Sequence, residues 1–236
     1  MTIDKKLLAD QAQLLGVTLD GTALERFELF ADLLVETNKK FNLTAIKEAD
    51  DIVIKHFADS ISLFSAIDIP EGAKILDVGT GAGFPGIPLL ICRPDLKLTM
   101  LDSTGKKLAF VREALEKLGL SAEVIHSRAE EEGQGEMRES FDIVTSRAVA
   151  ALNVLSEYCL PFVKVGGIFA AMKSAKAEEE LGGARTAIKT LGGKFVATKQ
   201  RILGDGGERN IIIINKSSQT PPKYPRVSAQ ISKKPL

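Results

Sequence analysis

The chain has 236 residues, of which 44% are hydrophobic and 26% are charged, which is typical of a globular protein. This length allows one substantial α/β domain with a small accessory segment. The longest apolar runs, such as residues 211–214, are too short to cross a bilayer, and charges within the opening residues argue against a secretory signal peptide. We therefore expect a cytoplasmic protein with no membrane partner.

The charges balance to a formal net charge of zero but are distributed unevenly. This balance does not predict a nucleic-acid partner, but a local basic surface can still bind phosphates. The end of the chain carries five basic residues and no acidic one: Lys216, Lys223, Arg226, Lys233 and Lys234. The two cysteines, Cys92 and Cys159, match no metal-ligand spacing, so we expect reduced thiols and no metal site.

The first seventy residues have helical character. Gly16 ends the first predicted helix, Asp20 is placed to cap the second, and "ADDIVIKHFADSISLFSAI" resumes the pattern. No strand with clear alternation precedes Lys74. The sequence therefore predicts an N-terminal helical extension, residues 1–70, packed on the core.

From Lys74 onward, seven short apolar runs alternate with helical segments, which predicts a parallel sheet covered on both faces. The segment "ALNVLSEYCLPFVKVGG" is predicted as a helix that leads into the strand "GIFAAMKS". The loop "GDGGE" separates the last two strands, so we expect a hairpin that adds an antiparallel strand at the end of the sheet. Residues 71–216 form this predicted domain, residues 217–236 form a loosely structured basic tail, and the whole is one compact domain.

The first strand leads into a glycine-rich loop, "KILDVGTGAGFPG". Ligands of parallel sheets lie beyond the carboxyl ends of the strands, which makes this loop the first candidate site. The dinucleotide fingerprint Gly-x-Gly-x-x-Gly would require glycine at 84, where this chain has Phe84. A bulky residue is unfavourable where backbone must approach a pyrophosphate, so a ligand without phosphates fits better.

S-adenosylmethionine is such a ligand. Gly79, Gly81 and Gly83 allow the backbone to pass close to its methionine part. Asp102 ends the second strand, where a carboxylate can accept hydrogen bonds from both ribose hydroxyls. The sequence thus predicts S-adenosylmethionine as the cofactor. The alternative is a tight strand–helix turn that binds nothing.

Four segments resemble the RsmG (GidB) family of bacterial 16S ribosomal RNA guanine-N7 methyltransferases. They are "NLTAIKEADDIVIKHFADSISL", "DVGTGAGFPGIPL", "HSRAEE" and "DIVTSRAVA". The resemblance implies a class I methyltransferase (Rossmann-like) α/β fold. Such a fold has a seven-stranded, mostly parallel sheet with one antiparallel strand and helices on both faces. It further implies methylation of a guanine in the 530-loop region of 16S ribosomal RNA in the small ribosomal subunit. We expect the protein to be a monomer.

The predicted cofactor contacts lie in the glycine loop and after the second, third and fourth strands: Gly79, Gly81, Phe84, Asp102, Ala129, Glu130 and Arg147. By the resemblance, Ala129 and Glu130 flank the adenine, and Arg147 lies near the methyl-donor end. Arg147 has two candidate roles, binding the methionine carboxylate or donating to guanine O6. A surface ion pair is the alternative.

The acceptor atom implied by the resemblance needs no catalytic base. Guanine N7 has a free lone pair, so the enzyme mainly has to align donor and acceptor, and no catalytic residue is predicted. The sequence agrees, because "TSRA" follows the fourth strand where an exocyclic-amine methylase would carry Asn/Asp-Pro-Pro-aromatic. Cys159 lacks the Pro-Cys context of a cytosine-C5 enzyme.

Five residues are candidates for substrate contact: His56, Arg128, Lys173, Arg226 and Lys233. His56 is equally well explained as a structural histidine, and the lysines and arginines as solvated charges. Tyr224 among the tail charges offers a base-stacking surface. The ending "KYPR…KKPL" resembles the family's terminal segment, but Ala229 and Ile231 replace its usual glycine and proline.

Two alternative functions remain at this stage. One is a class I methyltransferase that acts on a small molecule or a protein. The other is a ribosome-associated assembly factor that keeps the fold without the transfer reaction. The basic tail and the family-specific segments argue against the first, and the intact Gly79, Asp102 and Arg147 argue against the second.

Overall fold

The computed structural model describes residues 2–236, so Met1 lies outside it. The helices are α1 Lys5–Leu14, α2 Gly21–Asn38, α3 Ala49–Ile52, a π-helical turn Val53–Ala58, α4 Asp59–Ala66, α5 Gly86–Cys92, α6 Gly105–Leu118, α7 Ala129–Glu132, α8 Leu152–Cys159, a 3-10 turn Leu160–Phe162, α9 Ala177–Thr190 and α10 Ser228–Lys233. The strands are β1 Lys74–Val78, β2 Lys97–Asp102, β3 Glu123–His126, β4 Phe141–Arg147, β5 Val163–Lys173, β6 Gly193–Ile202 and β7 Glu208–Lys216. No helix between residues 2 and 236 combines the length and hydropathy needed to cross a bilayer.

The strands form one seven-stranded sheet in the order β3-β2-β1-β4-β5-β7-β6. Pairing is parallel from β3 to β5, and β7 runs antiparallel to both β5 and β6. The predicted sheet is therefore confirmed, but the antiparallel strand lies between β5 and β6 and not at the end. The reason is burial: residues 211–214 of β7 are buried, as an internal strand requires, whereas β6 is largely exposed and suits an edge.

One helix boundary differs from the prediction. The helix expected to run through Gly167 ends at Cys159, and β5 already begins at Val163. Pro161 lies in the 3-10 turn between them. Because proline has no backbone N–H and its ring clashes with the preceding turn, it prevents the helix from continuing.

Helices cover both faces of the sheet, as predicted. The N-terminal helices share one apolar cluster with α5, α6 and β1, and its centre is aromatic. The ring centroids of Phe27 and Phe57 lie 4.8 Å apart, and those of Phe30 and Phe84 lie 5.2 Å apart. A second cluster joins α8, α9 and residues of β4, β5 and β7 on the opposite face. The division of the chain at residues 70 and 216 remains a prediction.

The C-terminal segment, residues 217–236, is packed against the domain and is not loosely structured. Tyr224 and Ile231 are buried, and Arg138 donates to the carbonyl oxygens of Tyr224 at 2.7 Å and Thr220 at 2.6 Å. The substitution of proline by Ile231 has a local consequence. Its N–H donates to the carbonyl oxygen of Val227 at 3.2 Å inside α10, a bond that proline could not make.

Asp77 of β1 is a fully buried carboxylate beneath the glycine loop. Its Oδ2 accepts from Thr80 Oγ1 at 2.7 Å and from the Gly86 N–H at 3.0 Å. Its Oδ1 has no hydrogen-bond partner within the described chain. Burial raises the pKa of Asp77 from 3.8 to about 6, because the ionised form loses its hydration.

We expect the Asp77→Asn substitution to change how stability depends on pH. A raised folded-state pKa means that the fold prefers the protonated carboxyl, so its contribution is favourable below the unfolded-state pKa and is lost as pH rises towards 6. Relative to the variant, the wild type should lose about 3 kcal/mol of unfolding free energy between about pH 4 and pH 7. Urea unfolding of both proteins across this range measures the difference, and parallel curves would contradict it.

Candidate active site

The ends of β1, β2 and β3 meet at one edge of the sheet because these strands are parallel. Val78 pairs with Leu101, and Asp102 pairs with His126. The loops that follow them enclose a cavity of about 340 Å³, here called the first cavity, whose size is within the usual range for small-molecule sites. Four of the predicted cofactor residues line it: Gly79, Asp102, Ala129 and Glu130.

Gly79 begins the loop in a left-handed conformation, with φ of 71°. A Cβ atom added there would lie 2.4 Å from Cγ2 of Val149, which also lines the first cavity. Val149 reaches this position after Ala148, which itself has a φ of 56°. The chain after β4 thus folds over the glycine loop, and only glycine leaves room for that contact.

Asp102 is held rigidly at the end of β2. Its Oδ1 accepts from the Thr104 N–H at 2.7 Å, and its Oδ2 accepts from the Gly81 N–H at 2.9 Å. Each oxygen keeps a further lone pair for a ligand. A fixed, largely buried carboxylate that faces a cavity suits a pair of hydroxyl donors such as a ribose diol. Gly81 therefore acts in the structure by orienting Asp102.

Ala129 and Glu130 begin α7, directly beyond β3. The Glu130 side chain is only 10% exposed, and its Oε1 lies 3.8 Å from Nη1 of Arg128. Along the edge of the sheet, from β1 to β3, lie the glycine loop, the Asp102 carboxylate and the mostly buried side chain of Glu130. This set of residues is compatible with S-adenosylmethionine, and the contacts expected for its methionine, ribose and adenine parts stay predictions.

Phe84 does not line the first cavity. Its ring is buried, stacks on His56 with centroids 4.4 Å apart, and contacts Phe30. Its backbone N–H donates to the carbonyl oxygen of Thr80 at 2.9 Å. The side chain therefore anchors the glycine loop to the N-terminal helices, and a direct cofactor contact from Phe84 stays a prediction.

Arg147 ends β4 and faces a second cavity of about 660 Å³, which adjoins the first at Ala148 and Val149. Its Nη1 donates to Asp59 Oδ2 at 2.9 Å and to the carbonyl oxygen of Lys55 at 3.2 Å. The guanidinium also lies 4.9 Å from the centroid of the Phe84 ring. Arg147 thus forms an ion pair, as one reading of the sequence expected, but the pair is mostly buried and lines a cavity.

His56 lies in the π-helical turn and is buried. Its Nδ1 is 3.2 Å from Nη2 of Arg147, and its Nε2 is 2.9 Å from Oγ1 of Thr44. Because arginine can only donate, Nδ1 must carry a lone pair, which leaves the proton on Nε2 of a neutral ring. Burial lowers the pKa of His56 from 6.5 to about 3, and the nearby Arg147 charge acts in the same direction.

The remaining predicted substrate residues divide into two groups. Arg128, with 61% of its side chain exposed, and Lys233 are accessible at the surface. Lys173 is only 7% exposed; its ammonium binds Glu180 at 2.8 Å and also donates to the carbonyl oxygen of Ala150. Arg226 pairs with Glu157 at 2.7 Å. Both residues are ion-paired rather than solvated, and Lys173 also lines the second cavity, so substrate contacts from Lys173 and Arg226 stay predictions.

Tyr224 is also placed differently from the prediction. It is buried in the apolar cluster that includes α8, so its ring is not a free stacking surface for a base. Pro222 and Pro225 lie close to Tyr224 in sequence, and Arg138 donates a hydrogen bond to its carbonyl oxygen. These features keep the segment packed against the domain.

Several residues that line the second cavity are not among the residues predicted from the sequence. Arg209 and Glu180 both line it, and Arg209 Nε lies 3.6 Å from Asp59 Oδ1. Arg209 could have been found from topology. It stands at the start of β7, and an antiparallel strand begins at the edge where its parallel neighbours end, as the pairing of Asn210 with Lys173 shows.

A family model described as GidB, rRNA small subunit methyltransferase G, matches residues 23–212. The chain belongs to this family. A protein of Alkaliphilus metalliredigens named ribosomal RNA small subunit methyltransferase G is 46% identical over 235 residues, which is 98% of each chain. A protein of the same name from Staphylococcus carnosus is 48% identical over 233 residues, 97% of each chain.

The fold is shared more widely than the family. The crystal structure of a SAM dependent methyltransferase from Aquifex aeolicus matches with a TM-score of 0.54 and 20% identity, covering 75% of this chain and 97% of that chain. The predicted family and the class I methyltransferase fold are both confirmed.

The ring of His56 should remain neutral in mildly acidic solution. Its lowered pKa places the titration near 3, so the chemical shifts of one of the two histidines should not move between pH 8 and about pH 5. Two-dimensional NMR of protein labelled at histidine measures this, with His126→Gln assigning the signals. Titration of the His56 ring above pH 5 would contradict the buried Arg147–His56 contact.

Proposed function

We propose that this chain transfers a methyl group from S-adenosylmethionine to N7 of a guanine in 16S ribosomal RNA. The observation that supports it best is the first cavity, which combines a glycine loop with a fixed diol acceptor in a chain of the rRNA small subunit methyltransferase G family. The close relatives carry small-subunit ribosomal RNA in their names and match the chain over nearly its whole length.

In this proposal, the first cavity holds the cofactor. Gly79 provides space for the methionine part, Asp102 accepts from the ribose hydroxyls, and Ala129 and Glu130 flank the adenine. When bound, S-adenosylmethionine supplies an electrophilic methyl group. Gly81 contributes by fixing the Asp102 carboxylate, with its N–H 2.9 Å from Oδ2.

The second cavity receives the target base. It adjoins the first at Ala148 and Val149, so a base there would lie next to the cofactor site. Arg147 and Arg209 line it and offer donors to a carbonyl such as guanine O6. A base within folded RNA must be unpaired to enter such a cavity.

The hydrogen bonds and ion pairs of the titratable groups that line the second cavity agree with N7 as the methyl acceptor. The His56 ring already accepts from Arg147 and shares its proton with Thr44. Asp59 is paired with Arg147 and Glu180 with Lys173, so none of these groups is positioned as a free base. Guanine N7 has no proton to lose, so alignment of donor and acceptor is enough.

Contacts with the rest of the RNA come from exposed basic residues around the cavities. Arg128 lies at the edge of the first cavity, and Lys233 lies on α10, whose first residue, Ser228, also lines this cavity. Lys173 lines the second cavity with its ammonium paired to Glu180, whereas Arg226 is paired with Glu157 and contributes indirectly. We further propose that the protein acts in the cytoplasm as a monomer on the RNA of the small ribosomal subunit.

The proposal predicts radiolabelled methyl transfer to small ribosomal subunits isolated from a strain that lacks this enzyme, with the label recovered as 7-methylguanosine. Asp102→Asn should weaken S-adenosylhomocysteine binding by about tenfold or more, because an amide cannot accept from two backbone N–H groups and two hydroxyls. Binding is measured by calorimetry and transfer by nuclease digestion and chromatography.

Asp95→Asn is the matched control, since Asp95 also accepts a backbone N–H, that of Gly72 at 2.9 Å, but lies away from both cavities. Cofactor binding without label in ribosomal RNA would point to a small-molecule or protein substrate. If the wild type neither binds S-adenosylhomocysteine nor transfers a methyl group, the result would point to an assembly factor.

Arg147→Lys separates the two roles considered for this arginine. Arg147 lines the second cavity and not the first, so the substitution should reduce methyl transfer at least tenfold while S-adenosylhomocysteine affinity stays within about threefold. Lysine keeps the charge beside Asp59, which limits the structural disturbance. A large loss of cofactor affinity with unchanged maximal transfer would instead assign Arg147 to the methionine carboxylate.

A further inference from the structure

The C-terminal segment reaches the first cavity. Ser228, the first residue of α10, lines the cavity together with Tyr158 of α8. The two hydroxyl oxygens lie 3.0 Å apart and form a hydrogen bond. The other residues that line the cavity belong to strand ends, loops and helix starts at the sheet edge. The hydroxyl pair therefore comes from parts of the chain that are remote in sequence from the glycine loop.

A buried ion pair fixes the position of Ser228. Glu157, the residue before Tyr158, is fully buried and accepts from Arg226, two residues before Ser228. Glu157 Oε1 accepts from the Arg226 backbone N–H at 2.8 Å and from its Nε at 2.9 Å, and Oε2 accepts from Nη2 at 2.7 Å. Such a bidentate ion pair fixes the position of Arg226 relative to α8. Its loss would leave the buried Glu157 carboxylate unpaired.

Further contacts hold the segment on the same face of the sheet. Gln134 donates to the carbonyl oxygen of Pro225 at 2.9 Å, and Arg138 donates to that of Tyr224. Beyond Ser228, the side chain of Ile231 is fully buried. The path of the chain is therefore set on both sides of Ser228, and its hydroxyl is presented to the cavity by a fixed backbone.

The order of strands assigns the hydroxyl pair to one end of the cofactor. From β1 to β3, the sheet edge carries Gly79, Asp102 and then Ala129 with Glu130, which correspond to methionine, ribose and adenine. The helix that carries Tyr158, α8, packs against α7, where Ala129 and Glu130 lie. The pair therefore belongs to the adenine end.

We propose that Tyr158 and Ser228 are additional cofactor-binding residues that hydrogen-bond the adenosine part, and that Arg226 is a positioning residue that acts through Ser228. This inference rests on the proposed function. The two hydroxyls have two protons and four acceptor sites, and their mutual bond leaves one donor and three acceptor sites free. This set complements adenine, which has an exocyclic amine as donor and ring nitrogens as acceptors.

The direct test measures S-adenosylhomocysteine affinity by calorimetry. Ser228→Ala and Tyr158→Phe should each weaken binding about three- to tenfold, the effect of losing one neutral hydrogen bond. Ser232→Ala, an exposed serine on the same helix, is the control and should leave binding unchanged. The same loss is expected for 5′-methylthioadenosine, measured by competition, because both ligands share the adenosine part.

The role of Arg226 is tested by a double-mutant cycle. Arg226→Lys cannot form both side-chain bonds to Glu157, so it should weaken S-adenosylhomocysteine binding in the wild-type background. In the Ser228→Ala background, the same substitution should have little further effect if it acts through Ser228. Fully additive losses would overturn the positioning role.

The outcomes separate this inference from the proposed function. If the wild type binds S-adenosylhomocysteine and both hydroxyl variants bind it within twofold of the wild type, the inference is wrong and the proposed function stands. If Ser228→Ala weakens S-adenosylhomocysteine but not 5′-methylthioadenosine, the adenosine assignment is wrong. If the wild type does not bind the cofactor product at all, the proposed function itself fails.

Discussion

The parallel pairing of β3, β2, β1 and β4 is the constraint on which the site depends. In a parallel sheet every strand ends at the same edge, so residues that follow different strands become neighbours although they are far apart in sequence. Gly79 and Asp102 meet in this way, and the bond from the Gly81 N–H to Asp102 Oδ2 joins the two loops directly. A carboxylate in such a position is ordered before any ligand arrives, which lowers the entropic cost of binding.

The N-terminal helices are part of the site and not only a cover for the sheet. The π-helical turn, Val53–Ala58, directs the carbonyl oxygen of Lys55 towards Arg147. Asp59 neutralises the charge of the Arg147 guanidinium. Phe84 links the glycine loop to His56 from the other side. Residues of the N-terminal helical extension therefore line part of the second cavity. The shape of this cavity depends on how the aromatic core packs.

The C-terminal segment makes a corresponding connection on the opposite face of the sheet. The basic residues near the end of the chain form one group in the sequence, but Lys216, the last residue of β7, and Arg226 are bound to Glu139 and Glu157, whereas Lys233 is exposed. The segment thus combines an internal, structural part with a small external basic part. Such an arrangement allows a single stretch of chain to line the first cavity and to present charge beside it.

The sequence by itself determined the order of strands and helices along the chain, the family, the glycine loop and the position of Asp102 at the end of β2. These features depend on short-range periodicity and on which residue follows each strand, and both are visible in one dimension. Only the tertiary structure decided the surroundings of Phe84, Lys173, Arg226 and Tyr224. A charge or an aromatic ring is solvated or buried according to partners that lie elsewhere in the chain: Glu157 is 69 residues from Arg226, and the fold, not local spacing, brings the two together.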